Sequence, residues 1–486
     1  MRSTGTGMAG TAASAFDAEV EAARAQWQAD QAVRAEATLR TVIHRAPAHA
    51  GAATLLAEVL RSQGRLSAAA EVMLDVARAN AFAPSLCLQC AYFAQQCDRH
   101  AVAVAICAGA LARGGAPAEL LVLAGHVARE SGDFDAARAH YRAALEAGVD
   151  LERHHVLAAL ANTRRYTDAA DPEIARFTRE FANLAQAPRA RASAGFALAK
   201  AQDDLGDYAA AADTLRTANA LVHTLQPWRR AAWRAFVDAR QRDRIALLPR
   251  SAAPDFRPVF IVGVPRTGTT LTATLLAHAA GARDRGELRT LRYVAERLIA
   301  GGRLADPAAL AEAAELYRTL AVQDDHPAPC YLDQDPLNFR YLQLALAMFP
   351  SARVIHLLRD PRDTALSLWS QDFAHPDLAF AYDFADIADY MAGHAELMAH
   401  WRQRLGAWMF DLHYETLVAE PDATIAKLRA FIGAAGDASR TSPEGSAPVQ
   451  SASVWQARQP VYSTSAGRWR HYAPYVPELA GLAPQG

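Results

Sequence analysis

The stretch Val259 to Thr270, VFIVGVPRTGTT, decides the fold of the second half of the chain. Val259–Gly263 is a short apolar run rich in β-branched residues and headed by Pro258, the composition of a strand buried on both faces. A Pro/Gly turn follows, and then LTATLLAHA, an apolar stretch that reads as a helix. Strand, tight loop and helix in that order aim backbone N–H groups and the positive end of a helix at an anion. Gly263-x4-Gly268 followed by Thr269-Thr270 has the spacing of a nucleoside-triphosphate loop, but the lysine that should precede the last hydroxyl residue is Thr269. Without that ammonium the β/γ-phosphate contact is lost. Arg266, inside the loop, is the remaining charge, so the ligand expected is a 5′ phosphate-type group of a nucleotide rather than ATP with magnesium.

A second strand-to-helix unit supports this. Ala352–Leu358, ARVIHLL, is another apolar, β-rich run, followed by Arg359-Asp360-Pro361-Arg362-Asp363 and a helix carrying Ser367. A guanidinium supplies a planar set of donors and a hydroxyl adds one more, a clamp suited to a separate phosphate. Taken alone, each element also reads as an ordinary turn that caps a helix. Together, two anion sites on neighbouring parallel strands imply one ligand charged at both ends.

PRTGTTL after one strand and RDPRDTALS after another resemble the 5′-phosphosulfate and 3′-phosphate motifs of sulfotransferases. The likeness covers residues 257–475 and is nearest to the tyrosylprotein sulfotransferase-like family, including bacterial members with tetratricopeptide arrays. It implies 3′-phosphoadenosine 5′-phosphosulfate as donor co-substrate and no metal. It assigns the 5′ loop to Arg266, Thr267, Gly268, Thr269 and Thr270, and the 3′-phosphate clamp to Arg359 and Ser367. The family's catalytic glutamate maps to Glu287 in RGELRT, with Arg289 on the substrate side. Tyr414 in HYETLV becomes an adenine-side contact. The strip SVWQARQPVYSTSAGRW resembles a lid, placing Ser453 near the phosphosulfate and Arg468 where the family has a lysine. Gly/Ser/Pro-rich residues 434–452 precede it and are expected to be mobile until donor binds.

One position departs from the family. Its catalytic lysine maps to Gln334 in DQDPLNF, which donates a hydrogen bond without charge. Losing a charged donor at a developing anion costs about 2–4 kcal/mol. Arg340 or Arg266 would have to compensate, or turnover is slow. In the expected mechanism Glu287 takes the acceptor hydroxyl proton, and Arg266, Ser453 and Gln334 stabilise charge on the transferring group.

The first half repeats. Gly64 in SQGRLSAAA, Asp98 in QQCDRHAVA and Gly132 in ESGDFDAAR are spaced by 34 residues, and Gly206 in DLGDYAAAA continues the pattern after an insertion. An alanine follows each by five residues (Ala69, Ala103, Ala137, Ala211), and a larger residue by nine (Met73, Cys107, Tyr141, Leu215). This resembles a tetratricopeptide array over residues 17–225, four to six units in which each must stack on its neighbours. Residues 151–186 fit the repeat poorly. Residues 226–256 read as a linker, helical to Leu248 and then punctuated by prolines. Such an array offers a surface for a peptide or partner protein, or serves only as a packing or homodimerisation scaffold.

Composition narrows the function. The chain has 486 residues and a formal net charge of −2, with no basic field to hold nucleic acid. The N-terminus lacks the apolar segment of a secretory signal and no long uncharged apolar run is present, so a cytoplasmic protein without a membrane span is expected. Lys200 and Lys427 are the only lysines, so phosphate recognition must use arginine. Cys87 and Cys90 have CxxC spacing in an Ala-rich helical stretch with no second pair, and are read as core. The expected architecture is an α-helical tetratricopeptide solenoid followed by an α/β P-loop-like domain with a central parallel sheet. The expected activity is sulfuryl transfer to a hydroxyl, with tyrosine of a peptide or protein as the favoured acceptor. The rivals are a weak or inactive sulfotransferase-fold scaffold that binds partners, and a nucleotide kinase or hydrolase, which the missing lysine disfavours.

Overall fold

A computed structural model describes residues 6–243, 245, 256–373, 375–434 and 465–482. Helices occupy the chain up to Arg242, and from Pro258 helices alternate with the strands of one sheet. The chain divides into two compact units, Met1–Val149 with Thr319–His326, and Asp150–Arg318 with Pro327–Gly486.

Among the described residues of the first unit, eight helices run in sequence from Thr6–Gln28 to Phe134–Glu146 and pair with their successors. The junctions Gly64, Asp98 and Gly132 all have positive φ, the left-handed turn that reverses the chain between paired helices. Asp30, a further 34 residues back, has φ 60° and is a junction that the Gly-based reading passed over. Ala35, Ala69, Ala103 and Ala137 are fully buried, Leu39, Met73 and Cys107 share one core, and Tyr141 is buried as well. Cys87, Cys90, Cys97 and Cys107 are buried free thiols, and burial pushes Cys90, Cys97 and Cys107 up to about 12, as befits packing rather than redox work. The segment Thr319–His326 has a specific task here. The helix Leu66–Ala79 has no side-chain cap from its own Arg65. Asp324 accepts instead from Ser67 N (2.9 Å) and Ala68 N (3.0 Å).

In the second unit, Pro188–Asp204 and Tyr208–Leu225 form another helix pair around the positive-φ junction Gly206. Ahead of them, the short helices Val156–Ala161 and Pro172–Ala182 interrupt the 34-residue register. The linker helix spans Arg230–Arg242 and stops short of Leu248, which lies outside the described residues. Among the described residues the sheet has five strands: β1 (Pro258–Gly263), β2 (Arg283–Asp284), β3 (Tyr331–Asp333), β4 (Arg353–Leu358) and β5 (Met409–His413). Their order is β2-β3-β1-β4-β5, and every pairing is parallel. Strand β1 is buried throughout, and Val259, Ile261, Leu332, Ile355 and Leu412 share a core with Leu276 and Leu428 of covering helices. After β1 the chain goes out to the β2 side and later crosses to β4, so the sheet changes winding direction at β1. Ligands of open parallel sheets bind in that crevice, beyond the carboxyl ends of the strands.

Candidate active site

The strand ends assemble the site. The chain leaves β1 into the loop holding Arg266, β2 toward Glu287, β3 into Gln334, β4 into Arg359 and β5 into Tyr414. Because Gly263 is in register with Leu357, the two anion-loop candidates emerge side by side.

The first loop is tightly built. Gly268, at φ 103°, caps the helix Thr269–Ala280, and a Cβ there would come within 2.6 Å of the Tyr414 ring. Thr267 Oγ1 donates to Val264 O at 2.8 Å. Arg266 itself has φ 76°, a costly conformation for a long side chain that points to a local task. Its Nε donates to Ser367 Oγ at 3.1 Å, joining the two loops. Thr267, Thr269 and Thr270 are buried around this turn.

The second loop carries Arg359. Its Nη1 donates to Arg266 O (2.8 Å) and its Nη2 to Ser465 O (2.7 Å), while its Nε is buried with no hydrogen-bond partner. The guanidinium lies over the Tyr414 ring, 4.7 Å from its centroid. Asp360 caps the helix Pro361–Trp369, which sets Ser367 on the face toward Arg266. Arg266, Ser367, Arg359 and Tyr414, all candidates from the sequence, are brought together. An unpartnered buried guanidinium nitrogen and a left-handed loop that leads into a helix start suit an anionic ligand, and these residues fit the phosphate groups of a nucleotide donor.

Glu287 lies in the turn after β2, and one backbone and one backbone-to-side-chain hydrogen bond tie that turn to the end of β3. Gln334 N donates to Gly286 O at 2.9 Å, and Leu288 N to Asp333 Oδ1 at 3.3 Å. Gln334 is 2% exposed, and its Oε1 is buried without a partner. Glu287 is exposed at the surface. Limited hydration of its carboxylate amid the surrounding protein, with like charge from Asp335 and Asp333, raises the carboxyl to about 8 against the pull of Arg289 and Arg266. Asp333, fully buried, accepts from Tyr317 Oη at 2.8 Å, and burial followed by the charge of Asp335 pushes it up to about 8. Burial likewise raises Asp335, opposed by Arg340, Arg289 and Arg292.

Asp333, Asp335 and Tyr317 escaped the sequence reading, although the DQDP run placed two carboxylates either side of Gln334. Asp363 escaped it too, although it organises the C-terminal strip. Asp363 accepts from Gly467 N (2.5 Å) and Trp469 N (2.9 Å), and Arg362 stacks over the Trp469 ring at 3.8 Å. Tyr414 Oη meets Ser465 Oγ at 2.5 Å, so the strip reaches the Arg359 clamp. Arg468 turns the other way: its guanidinium pairs with Asp203 of the helix Pro188–Asp204 at 2.8 Å, beside Tyr472 Oη at 2.6 Å from the same carboxylate. Ser453 and most of residues 434–452 lie outside the described residues. Among the described residues, no helix is long and apolar enough to cross a membrane.

An uncharacterized protein of Aquifex aeolicus (strain VF5) is 31% identical over 317 residues, which take up 61% of this chain and 42% of that protein, so the chain spans less than half of that relative. The sulfotransferase domain of the Synechococcus PCC 7002 olefin synthase superposes with a TM-score of 0.35 at 20% identity, over 47% of this chain and 91% of that one. Sulfotransferase STF9 from Mycobacterium avium gives 0.28 at 15% identity, over 68% and 94%. The sulfotransferase family model matches residues 258–437, and a tetratricopeptide repeat model matches residues 118–147. The chain thus carries a sulfotransferase-family domain behind tetratricopeptide-type helical repeats.

Proposed function

We propose that the protein transfers a sulfuryl group from 3′-phosphoadenosine 5′-phosphosulfate to an acceptor hydroxyl, with tyrosine of a peptide or protein as the favoured acceptor. The observation that carries this reading is the joining of two arginine-bearing loops, Arg266 through Ser367 and Arg359 through the Arg266 carbonyl, at the carboxyl ends of adjacent parallel strands. A nucleotide with anions at its 5′ and 3′ positions needs two such grips, and neither a lysine nor a divalent ion is required to make them. Arg266, Thr267, Gly268, Thr269 and Thr270 would hold the 5′ end, Arg359 and Ser367 the 3′-phosphate, and Tyr414 the base side. Ser453 and Arg468 are retained as lid residues of the family pattern. For Arg468 that role requires exchanging Asp203 for the donor.

The chemistry is a displacement at sulfur. The acceptor oxygen forms the new S–O bond, the bond from sulfur to the bridging oxygen breaks, and adenosine 3′,5′-bisphosphate leaves. Glu287 takes the acceptor proton, and a carboxyl raised toward neutrality is matched to that task. Arg289 lies on the acceptor side, and Arg266 offsets charge on the leaving phosphate oxygen. Gln334 adds a neutral donor where a charged one would do more. Its uncharged, partly unsatisfied amide is the one observation favouring the second reading, a weak or inactive domain whose repeats bind partner proteins. A surface built from stacked repeats supports a polypeptide as acceptor or partner.

Incubation of the chain with 35S-labelled donor and pools of tyrosine peptides and small phenols tests the proposal. Label on a hydroxyl that disappears with Glu287→Gln is the expected result. Donor binding without transfer to any pool supports the scaffold reading.

A further inference from the structure

A cavity of about 480 Å³ opens beside the start of the linker helix, lined by Trp228, Trp233, Phe236, Arg229, Arg340 and Asp377, with Pro376 and Ala379 among its other neighbours. That volume suits a small molecule or one aromatic side chain with its substituents. The rings are fixed in place. Trp233 stacks on Tyr390 at 4.8 Å and on Phe236 at 5.8 Å, and Tyr390 stacks on Phe380 at 3.7 Å.

The charge of this cavity is one-sided. Asp377 is already committed to Arg292 and lies 3.4 Å from His375. Arg340 lies over Trp233 (5.5 Å) and Tyr390 (5.8 Å), and its Nε is buried with no hydrogen-bond partner. Arg229 is exposed at the rim. Flat apolar walls beside a guanidinium whose Nε lacks a partner favour a planar ring that bears an anion.

The cavity is tied to the elements that carry the candidate site: its Asp377 pairs with Arg292 of the helix Thr290–Ala300, which begins three residues after Glu287, and its Arg340 lies in the helical turn Pro336–Tyr341, which follows Gln334. We infer that this cavity anchors the acceptor, and that the group it takes is an aromatic ring carrying an anionic substituent. The inference rests on the proposal that Glu287 serves an acceptor hydroxyl. It adds a recognition element that comes from the linker between the repeats and the sheet.

Ligand-observed NMR titration of the full chain tests it with 4-hydroxyphenylacetate, its neutral amide and cyclohexylacetate. The expected result is saturable binding of 4-hydroxyphenylacetate, with the amide and the non-aromatic acid weaker by about tenfold or more. Arg340→Gln and Trp228→Ala should each weaken it by a similar factor. Trp228 is only half-buried, so its variant is expected to fold, which unchanged circular dichroism melting would verify. Acetyl-Tyr-Asp, titrated alongside, distinguishes a polypeptide source of the same chemistry from a free aryl acid by which of the two binds more tightly. Equal binding of the three small probes, no saturation up to about 10 mM, or no effect of either folded variant overturns the inference. Titration of the same samples with adenosine 3′,5′-bisphosphate keeps the two readings apart. Bisphosphate binding without ring binding removes only the cavity, whereas failure of the bisphosphate removes the donor site.

Discussion

Arg359 donates to the backbone carbonyl of Arg266 at 2.8 Å, so the guanidinium at the end of β4 holds the turn at the end of β1 in its left-handed conformation. The two candidate phosphate grips are thereby one mechanical unit, and a change at either is felt at both.

Arg359→Ala is expected to remove the advantage of adenosine 3′,5′-bisphosphate over adenosine 5′-monophosphate. Loss of one charge-assisted hydrogen bond costs about 1.5–3 kcal/mol, roughly 10- to 150-fold in affinity. Affinity for the monophosphate should fall less. Calorimetry with both nucleotides measures the two losses. Equal losses would mean that Arg359 acts only through the Arg266 turn.

The raised Glu287 carboxyl sets a pH dependence. A base must be ionised to take a proton, so the transfer rate should climb through a midpoint near pH 8, with the partly wet side chain drawing that midpoint downward. Gln334→Lys would place an ammonium beside Asp333 and Asp335, lowering the whole carboxyl group and moving the midpoint to lower pH. The rate–pH profiles of the two proteins are the measurement. Identical midpoints would disconnect Gln334 from the base.

Asp333 predicts a stability trend of opposite sign. Its folded value, about 8, lies above that of an unfolded aspartate. Between those values the folded state holds a proton that the unfolded state has released, so stability falls as pH rises through that window. Asp333→Asn should flatten the fall in melting temperature between roughly pH 5 and pH 8. Because Tyr317 Oη and Leu288 N both bond to this carboxylate, the variant should also lose some stability at pH 5. A slope unchanged from wild type would show that Asp333 does not titrate in this range.

Asp324→Ala removes a cap that the helix Leu66–Ala79 cannot replace from its own sequence. Loss of such a cap costs about 0.5–2 kcal/mol. The expected readout is faster amide hydrogen exchange in residues 66–70, with Ala137 and its neighbours unaffected. Uniform change across the array would contradict a local cap.

Much of this was legible in the sequence. The strand–loop–helix units at 259–280 and 353–369 declared themselves because β-branched runs, Gly and Pro at loop positions and an apolar helix each carry a local signal. The repeat junctions were visible wherever a glycine or a spaced alanine marked them. Asp30 was missed although it lies 34 residues before Gly64 and is followed by Ala35 and Leu39 at the same offsets as the junctions that were found, Asp98 among them. What stayed hidden depends on tertiary contact. Asp333 is raised by burial and by Asp335, Asp324 caps a helix more than 250 residues earlier in the chain, and Arg468 turns to Asp203. No periodicity records such pairings.

The proposed function stands on two arginine-built grips that hold opposite ends of one nucleotide. Its decisive test is calorimetric titration of the full chain with adenosine 3′,5′-bisphosphate, with magnesium removed by chelation. Saturable binding at one site per chain, at least about tenfold tighter than that of adenosine 5′-monophosphate, is expected. Binding that needs magnesium, or that does not distinguish the two nucleotides, would contradict it.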